Sequence, residues 1–219
     1  MATWHRAELG VGSPLRACEV DVWWIDLDAP DDGTVPAADL SSDEERRARR
    51  FRVAADARRW SASRVALRRI LATYLGIAPS EIGFTIGVKG KPILAGALAG
   101  KLHFNLSHST GVALVAVSAD HEVGVDVERV RAGIEEVALA RFALAGDDVE
   151  LLETCVPDRR LDTFFRLWVR HEACAKCRGT GLEEARREPH GGIVVDEVPV
   201  GDGYAAACAV AIGSGGSVR

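Results

Sequence analysis

An α+β protein of two similar halves is the fold class this sequence predicts, and three observations carry it. Predicted helices precede predicted strands, and that order occurs twice along the chain, unlike the strict alternation of a βαβ sheet. The 219 residues suit one large domain or two small ones, and a hydrophobic content of 47% is enough to bury a real core. Residue identity between the halves is too slight for a sequence repeat, so the similarity lies in element order, with residues 1–122 as the first half and 123–219 as the second.

The elements follow in chain order. Residues 19–27 alternate around Val20, Val22, Trp23 and Ile25, which predicts a strand, and a turn-rich stretch follows over 28–39. Ser41 is placed to cap a helix whose first turn carries Asp43, Glu44 and Glu45. Ten arginines then fall between Arg46 and Arg69. Beyond them Trp60, Val65, Leu67, Ile70, Leu71, Tyr74 and Leu75 keep helical spacing until Gly76 ends it. Short apolar runs at 82–88, 102–106, 112–117 and 123–127, separated by Gly, Pro, Ser or Asp, predict strands. In the second half, helices are predicted near 135–145, 147–155 and 158–178, then strands at 193–198 and 204–212.

A net charge of -5 argues against a nucleic-acid or membrane-surface protein, both of which need a positive footprint. The arginine segment is the exception and predicts contact with anions. No stretch approaches the ~20 apolar residues that span a bilayer, and the first residues lack a signal-peptide core, so the cytoplasm is the expected location. Five cysteines, an odd number, fit reduced thiols. Cys174 and Cys177 match a C-x-x-C pair with His171 one turn earlier. A zinc or redox reading is disfavoured because no second ligand pair follows and the segment reads as mid-helix.

Three carboxylates carry the chemistry. Asp126 and Glu128 stand two apart in a predicted strand, so their oxygens aim into one volume. Val123, Val125, Val127 and Val130 flank them, and a buried acid pair needs a cation. The bland reading is a strand end whose acids reach water. Glu172 falls in line with Leu161, Phe164, Phe165, Trp168 and Ala175 on the apolar stripe of the long helix. Lys176 lies one turn further, and an ordinary Glu-Lys pair there contributes only about 0.2–0.5 kcal/mol. If the three acids meet, their hard oxygens point to magnesium, with room left for water and a pyrophosphate substrate. Candidates for phosphate are the arginine segment, Lys91 after Gly90, and Ser107-His108-Ser109. Each also reads plainly, as a solvated helix face, a turn, or backbone satisfaction.

Taken in order, Gly90-Lys91-Pro92, Phe104-Asn105-Leu106-Ser107-His108-Ser109, Gly124-Val125-Asp126-Val127-Glu128, Trp168-x-x-x-Glu172-Ala173-x-x-Lys176 and Gly179-x-Gly181-Leu182 resemble the motifs of the surfactin-type 4'-phosphopantetheinyl transferases. The resemblance runs from the arginine segment to Leu182. It implies a pseudodimer of two similar α+β halves with coenzyme A bound in the cleft between them, and two halves in one chain make a monomer the simpler expectation. It also implies transfer of phosphopantetheine to a serine of an apo acyl or peptidyl carrier protein, releasing 3',5'-ADP. By position, Asp126, Glu128 and Glu172 match the family's magnesium ligands, and Lys176 its lysine near the pyrophosphate. Lys91, Ser107 and His108 match positions at the 3'-phosphate end, and Arg47 and Arg59 the basic residues on the nucleotide side. Glu172 is the expected base for the serine proton, with a bound water as the alternative. The sequence departs from the pattern at His171, where lysine is common, and at Glu44, where a basic residue is common. A histidine there is expected to make the charge of the site titrate near neutral pH.

Two other classes compete. In one, residues 46–69 form an RNA-contacting helix pair with Trp60 as a stacking surface, which an acidic chain with 6% aromatics and no RNA-binding signature disfavours. In the other, Ser107, His108 and Asp126 form a hydrolase triad, although neighbouring strand residues point apart and no Gly-x-Ser-x-Gly elbow is present. Which carrier is modified is not legible, and segment 143–160 is where a carrier preference is expected to reside.

Overall fold

The computed structural model describes residues 2–6, 20–29, 39–87, 90–181 and 192–212. Cys18, Glu19, residues 30–38 of the turn-rich stretch, Val88 and Leu182 lie outside the described residues. The first half contains β1 (Ala2–Arg6), β2 (Val20–Asp26), α1 (Ser42–Ala48), α2 (Ala54–Leu75), β3 (Phe84–Ile86), β4 (Pro92–Leu94), β5 (His103–Ser109) and β6 (Val112–Ser118). After it come β7 (Val123–Arg129), α3 (Glu136–Ala143), α4 (Gly146–Thr154), α5 (Pro157–Arg178), β8 (Ile193–Glu197) and β9 (Tyr204–Ala211).

Period-two patterning sorts these elements into four layers. On β2 and β6, Trp23, Ile25, Ala113, Val115 and Val117 face α2, packing on Leu67, Ile70 and Leu71. The alternate residues Val20, Val22, Leu114 and Ala116 face the other way, against Val123, Val125 and Val127 of β7 and Ala206 and Cys208 of β9. The opposite face of β9, with Ala205, Ala207 and Ala209, packs on Phe164, Val169 and Ala173 of α5. The order is therefore helix, sheet, sheet, helix. The first sheet runs β1-β2-β6-β5 and the second β7-β9-β8, antiparallel except for β1, which pairs parallel to β2. The two covering helices correspond: α2 and α5 are each 22 residues long and each end at a left-handed glycine, Gly76 and Gly179, both at φ 65°.

The helix predicted from Ser41 onward is broken in two. Helix α1 has a capping box in which Ser41 and Glu44 satisfy each other's backbone N–H, and Arg49 ends it. Helix α2 restarts after Val53, which has extended backbone. In the connection Phe51 packs against Trp60, and the Arg47 guanidinium lies 5.5 Å from the Trp60 ring. Strand β3 falls within the predicted run at 82–88 and pairs Phe84 with Leu94 of β4; β4 and the parallel edge strand β1 are further elements that the sequence pattern did not resolve.

Part of the arginine segment serves the fold. Glu44, 8% exposed, accepts from Arg64 and Arg68 at 2.8 Å each, and both guanidinium groups lie over the Phe84 ring. Arg68 also donates to the carbonyls of Pro79 and Ile82. Burial opposes ionisation of Glu44, but Ser41, Arg64 and Arg68 outweigh it and hold the carboxyl below its ordinary value. The acid at a position where the family pattern is basic thus neutralises the buried Arg68 and the partly buried Arg64.

Candidate active site

Strand β5 at the edge of the first sheet lies beside β7 at the edge of the second, and side chains replace the missing ladder between them. Asn105, 6% exposed, accepts from the Val125 N–H at 2.9 Å. Ser107 Oγ donates to Asp126 Oδ1 at 2.8 Å. Ser109 donates to Glu128 at 2.9 Å and accepts from the Arg129 N–H. These three share one face of β5 by alternation, so Phe-Asn-Leu-Ser-His-Ser is a seam joining the halves. The roles of Asn105 and Ser109 escaped sequence reasoning, although their period-two spacing was the available signal. Asn105→Ala leaves a buried N–H unpaired and is expected to cost about 1–3 kcal/mol of stability. Urea unfolding measures it, and an unchanged midpoint would refute the seam.

The opposite wall is α5. A Cβ built on Gly124 would lie 2.1 Å from the Ala173 carbonyl oxygen and 2.3 Å from the Cys177 backbone nitrogen. Strand and helix backbones therefore touch at this point, one residue pair from Asp126 on the strand. That contact brings Lys176 over the acids: its Nζ donates to Asp126 Oδ1 at 2.5 Å and to Ser107 Oγ at 3.0 Å.

Asp126 is 3% exposed, and its second oxygen, Oδ2, is buried with no hydrogen-bond partner. Glu172 is half-buried at the margin of the apolar stripe rather than on it, flanked by the fully packed His171 and Ala173. Burial raises all three acids above their ordinary values. Asp126 adds to the rise in Glu128, and Asp126 and Glu128 both add to it in Glu172; Lys176 opposes it at each acid. The three share one electrostatic environment, in which Lys176 offsets only part of the cost of their burial. Among the described residues, however, no three His, Cys, Asp or Glu side chains are gathered closely enough to enclose an ion as they stand. The convergence expected from the sequence is thus present in charge and absent as a closed ligand shell. Hard oxygen donors and an orphaned buried carboxylate oxygen fit a divalent cation, and Lys176 is the cation present beside Asp126.

The other sequence-predicted residues are placed as follows. Ser107 faces inward, on Asp126 and Lys176, rather than outward toward a nucleotide. His108 faces the other way and is exposed; crowding and then the Lys176 charge lower its basicity. Ser107 has no hydrogen bond to His108, which leaves the hydrolase triad without its base. Lys91 donates to Glu122 at 2.7 Å and to the Val123 carbonyl, and Glu122 also meets His103. Arg59 is held by Asp28 through two bonds of 2.7 and 2.9 Å. Arg47 lines a cavity of about 550 Å3 with Asp43, Arg46, Arg50 and Phe51.

One expectation is corrected. His171, 2% exposed, turns to Asp148 at 2.7 Å and ties α4 to α5; it is not among the groups that shift Glu172. Its neighbouring position in a helix directs it about 100° away from Glu172, so it does not set the charge of the acid site. Trp60 is buried against Phe51 and Arg47, so it offers no open stacking surface, and Arg59, Arg64, Arg68 and Arg69 are paired with acids, while Arg46, Arg47, Arg49, Arg50, Arg52 and Arg58 are exposed. Cys174 packs in the α5 core and Cys177 donates to the Glu122 carbonyl; burial raises both thiols, Cys177 to about 11, which disfavours metal ligation. Among the described residues, no helix is long and apolar enough to cross a membrane.

Two α+β halves thus meet at a seam that carries Asp126, Ser107 and Lys176. Comparison with known proteins supplies the class. Residues 31–120 match the family described as 4'-phosphopantetheinyl transferase, N-terminal, and residues 122–209 match the 4'-phosphopantetheinyl transferase superfamily. The chain is 40% identical over 170 residues to 4'-phosphopantetheinyl transferase HetI of Nostoc sp., covering 77% of this chain and 72% of that protein. It is 32% identical over 143 residues to the 4'-phosphopantetheinyl transferase psf-1 of Bacillus pumilus, covering 65% and 59%. It is 37% identical over 123 residues to the 4'-phosphopantetheinyl transferase AcpT of Escherichia coli, covering 55% and 57%. The chain belongs to the 4'-phosphopantetheinyl transferase family and is an enzyme of that class.

Proposed function

We propose that this protein transfers the 4'-phosphopantetheine moiety of coenzyme A to a serine of an apo carrier protein, giving holo carrier protein and 3',5'-ADP. In this reading it is a surfactin-type, magnesium-dependent, cytoplasmic monomer whose halves divide at residues 122 and 123. The observation that carries the reading is the buried Asp126, with one oxygen on Lys176 and the other unpartnered, beside Glu128 and Glu172, whose carboxyls its charge raises.

Asp126, Glu128 and Glu172 would hold the magnesium, which when bound would supply charge stabilisation to the pyrophosphate. Lys176 gives its ammonium to the same pyrophosphate. Arg47, Arg59, Lys91 and His108 hold the nucleotide end, and Ser107 supports that end through β5. The carrier serine oxygen attacks the β-phosphorus as the bond to the bridging oxygen breaks, and the electron pair leaves with 3',5'-ADP. The serine proton goes to a Glu172 carboxylate oxygen. Burial and neighbouring acids raise the proton affinity of Glu172, which suits it to this task.

Incubation with coenzyme A, magnesium and an apo carrier protein, read by intact mass, tests the proposal. Addition of one phosphopantetheine to the carrier, lost when metal is chelated, is expected. An unmodified carrier under these conditions would sink it.

A further inference from the structure

Lys176 occupies a position that the transfer reaction does not explain. A lysine serving only the pyrophosphate would stand in the cleft, yet its Nζ lies 2.5 Å from Asp126 Oδ1 and 3.0 Å from Ser107 Oγ. Ser107 completes a closed set, donating to the same Asp126 oxygen at 2.8 Å. Asp126 is 3% exposed, so this pairing takes place in a medium where like charges repel strongly. Meanwhile Asp126 Oδ2 is buried without a hydrogen-bond partner, and Glu172 is half-buried on the facing helix. The ammonium therefore covers one oxygen of the cluster and leaves the remainder short of positive charge.

We propose that Lys176 is an exchangeable counter-cation: Asp126 and Ser107 hold it while the site lacks metal, and Asp126 releases it on taking up a divalent cation. Two cations on one buried carboxylate repel at a separation of a few ångströms. Lys176 is the partner free to leave, because its side chain is 30% exposed and sits on a flexible four-carbon stem. The released ammonium stays at the end of α5, where it is available to a pyrophosphate. Metal uptake thus arms the lysine for coenzyme A, and the two ligands are coupled through one side chain. Ser107 is in this account a positioning residue, which fits its inward orientation. The inference rests on the magnesium site proposed above.

The test reads Lys176 directly. In the full-length protein, the rate at which an amine-acetylating reagent modifies Lys176 is followed by peptide mass spectrometry, without metal, with saturating Mn2+, and with Mn2+ plus coenzyme A. Mn2+ alone is expected to raise the rate about tenfold, and coenzyme A to suppress it again. In parallel, Mn2+ affinity without coenzyme A, measured by electron paramagnetic resonance, is expected to tighten about tenfold in Lys176→Met, and to a lesser degree in Ser107→Ala. Circular dichroism melting confirms that each variant is folded. Exposure of Lys176 by Mn2+ supports the exchange even in a protein that modifies no carrier. Unchanged Lys176 reactivity in a protein that binds Mn2+ and transfers phosphopantetheine overturns it, as does Mn2+ affinity in Lys176→Met no tighter than in the unmodified sequence. A protein that binds no Mn2+ with or without coenzyme A overturns both the exchange and the metal site.

Discussion

Gly124→Ala is expected to lose stability and transfer activity together. The added methyl would be placed 2.1 Å from the Ala173 carbonyl oxygen and within 3 Å of the Cys177 backbone, neither of which can rotate away. Helix α5 must move off the sheet, and overpacking of this kind costs about 1–3 kcal/mol, more where backbone meets backbone. The move carries Glu172 and Lys176 away from Asp126 and Glu128, because the four belong to the two elements that Gly124 brings together. A displacement of ~1 Å in a phosphoryl-transfer site is enough for a loss of about 10²-fold in kcat. Thermal melting and the carrier-modification rate measure the two effects. A variant that melts like the native chain yet transfers slowly, or one with full activity, would show that the contact does not set the site.

Glu172→Gln is expected to separate stability from function. Without metal, the native carboxyl has its pKa raised by burial first and then by Asp126 and Glu128. Below the ordinary value of 4.5, Glu172 is protonated in both folded and unfolded chains and has no effect on the balance. As pH rises through 4.5 toward the raised folded-state value, the unfolded chain releases a proton that the folded chain still holds, so the native protein is progressively destabilised. Glutamine has no such term. The variant should therefore melt at the same temperature as the native protein in acid and at a higher one near neutrality, in buffers stripped of metal. With magnesium the native protein should gain stability and the variant should not, since binding to the folded state alone is stabilising. Transfer should fall by roughly 10²–10⁴-fold, the range for loss of a general base. A melting difference independent of pH, or turnover within a few fold of the native enzyme, would remove Glu172 from its assigned place.

How much of this was legible in the sequence depended on the range of the interaction. Strands β2, β5, β6 and β7 and helix α5 emerge from patterns contained within each segment, because alternation and helical spacing are properties of one element packing on a core. The terminating glycines Gly76 and Gly179 were legible for the same reason, since a left-handed cap is a local requirement. The break at 49–53 was not, because it depends on Phe51 and Arg47 reaching Trp60 on the next helix. Strand β1 was missed because a short parallel edge strand is stabilised by its neighbour rather than by its own pattern.

The site divides along the same line. That Asp126 and Glu128 share a strand face, and that Glu172 and Lys176 stand one turn apart on a helix, follows from the periods of strand and helix alone, and so the sequence by itself determined which residues are the candidates for the chemistry. The tertiary structure decided what each faces, because those partners lie far along the chain: Ser107 on Asp126, Lys176 on both, Glu44 between two arginines, His171 on Asp148. Only the packed layers could also show that Gly124 is a point of backbone contact, since the size of a gap between two elements is a property of neither one.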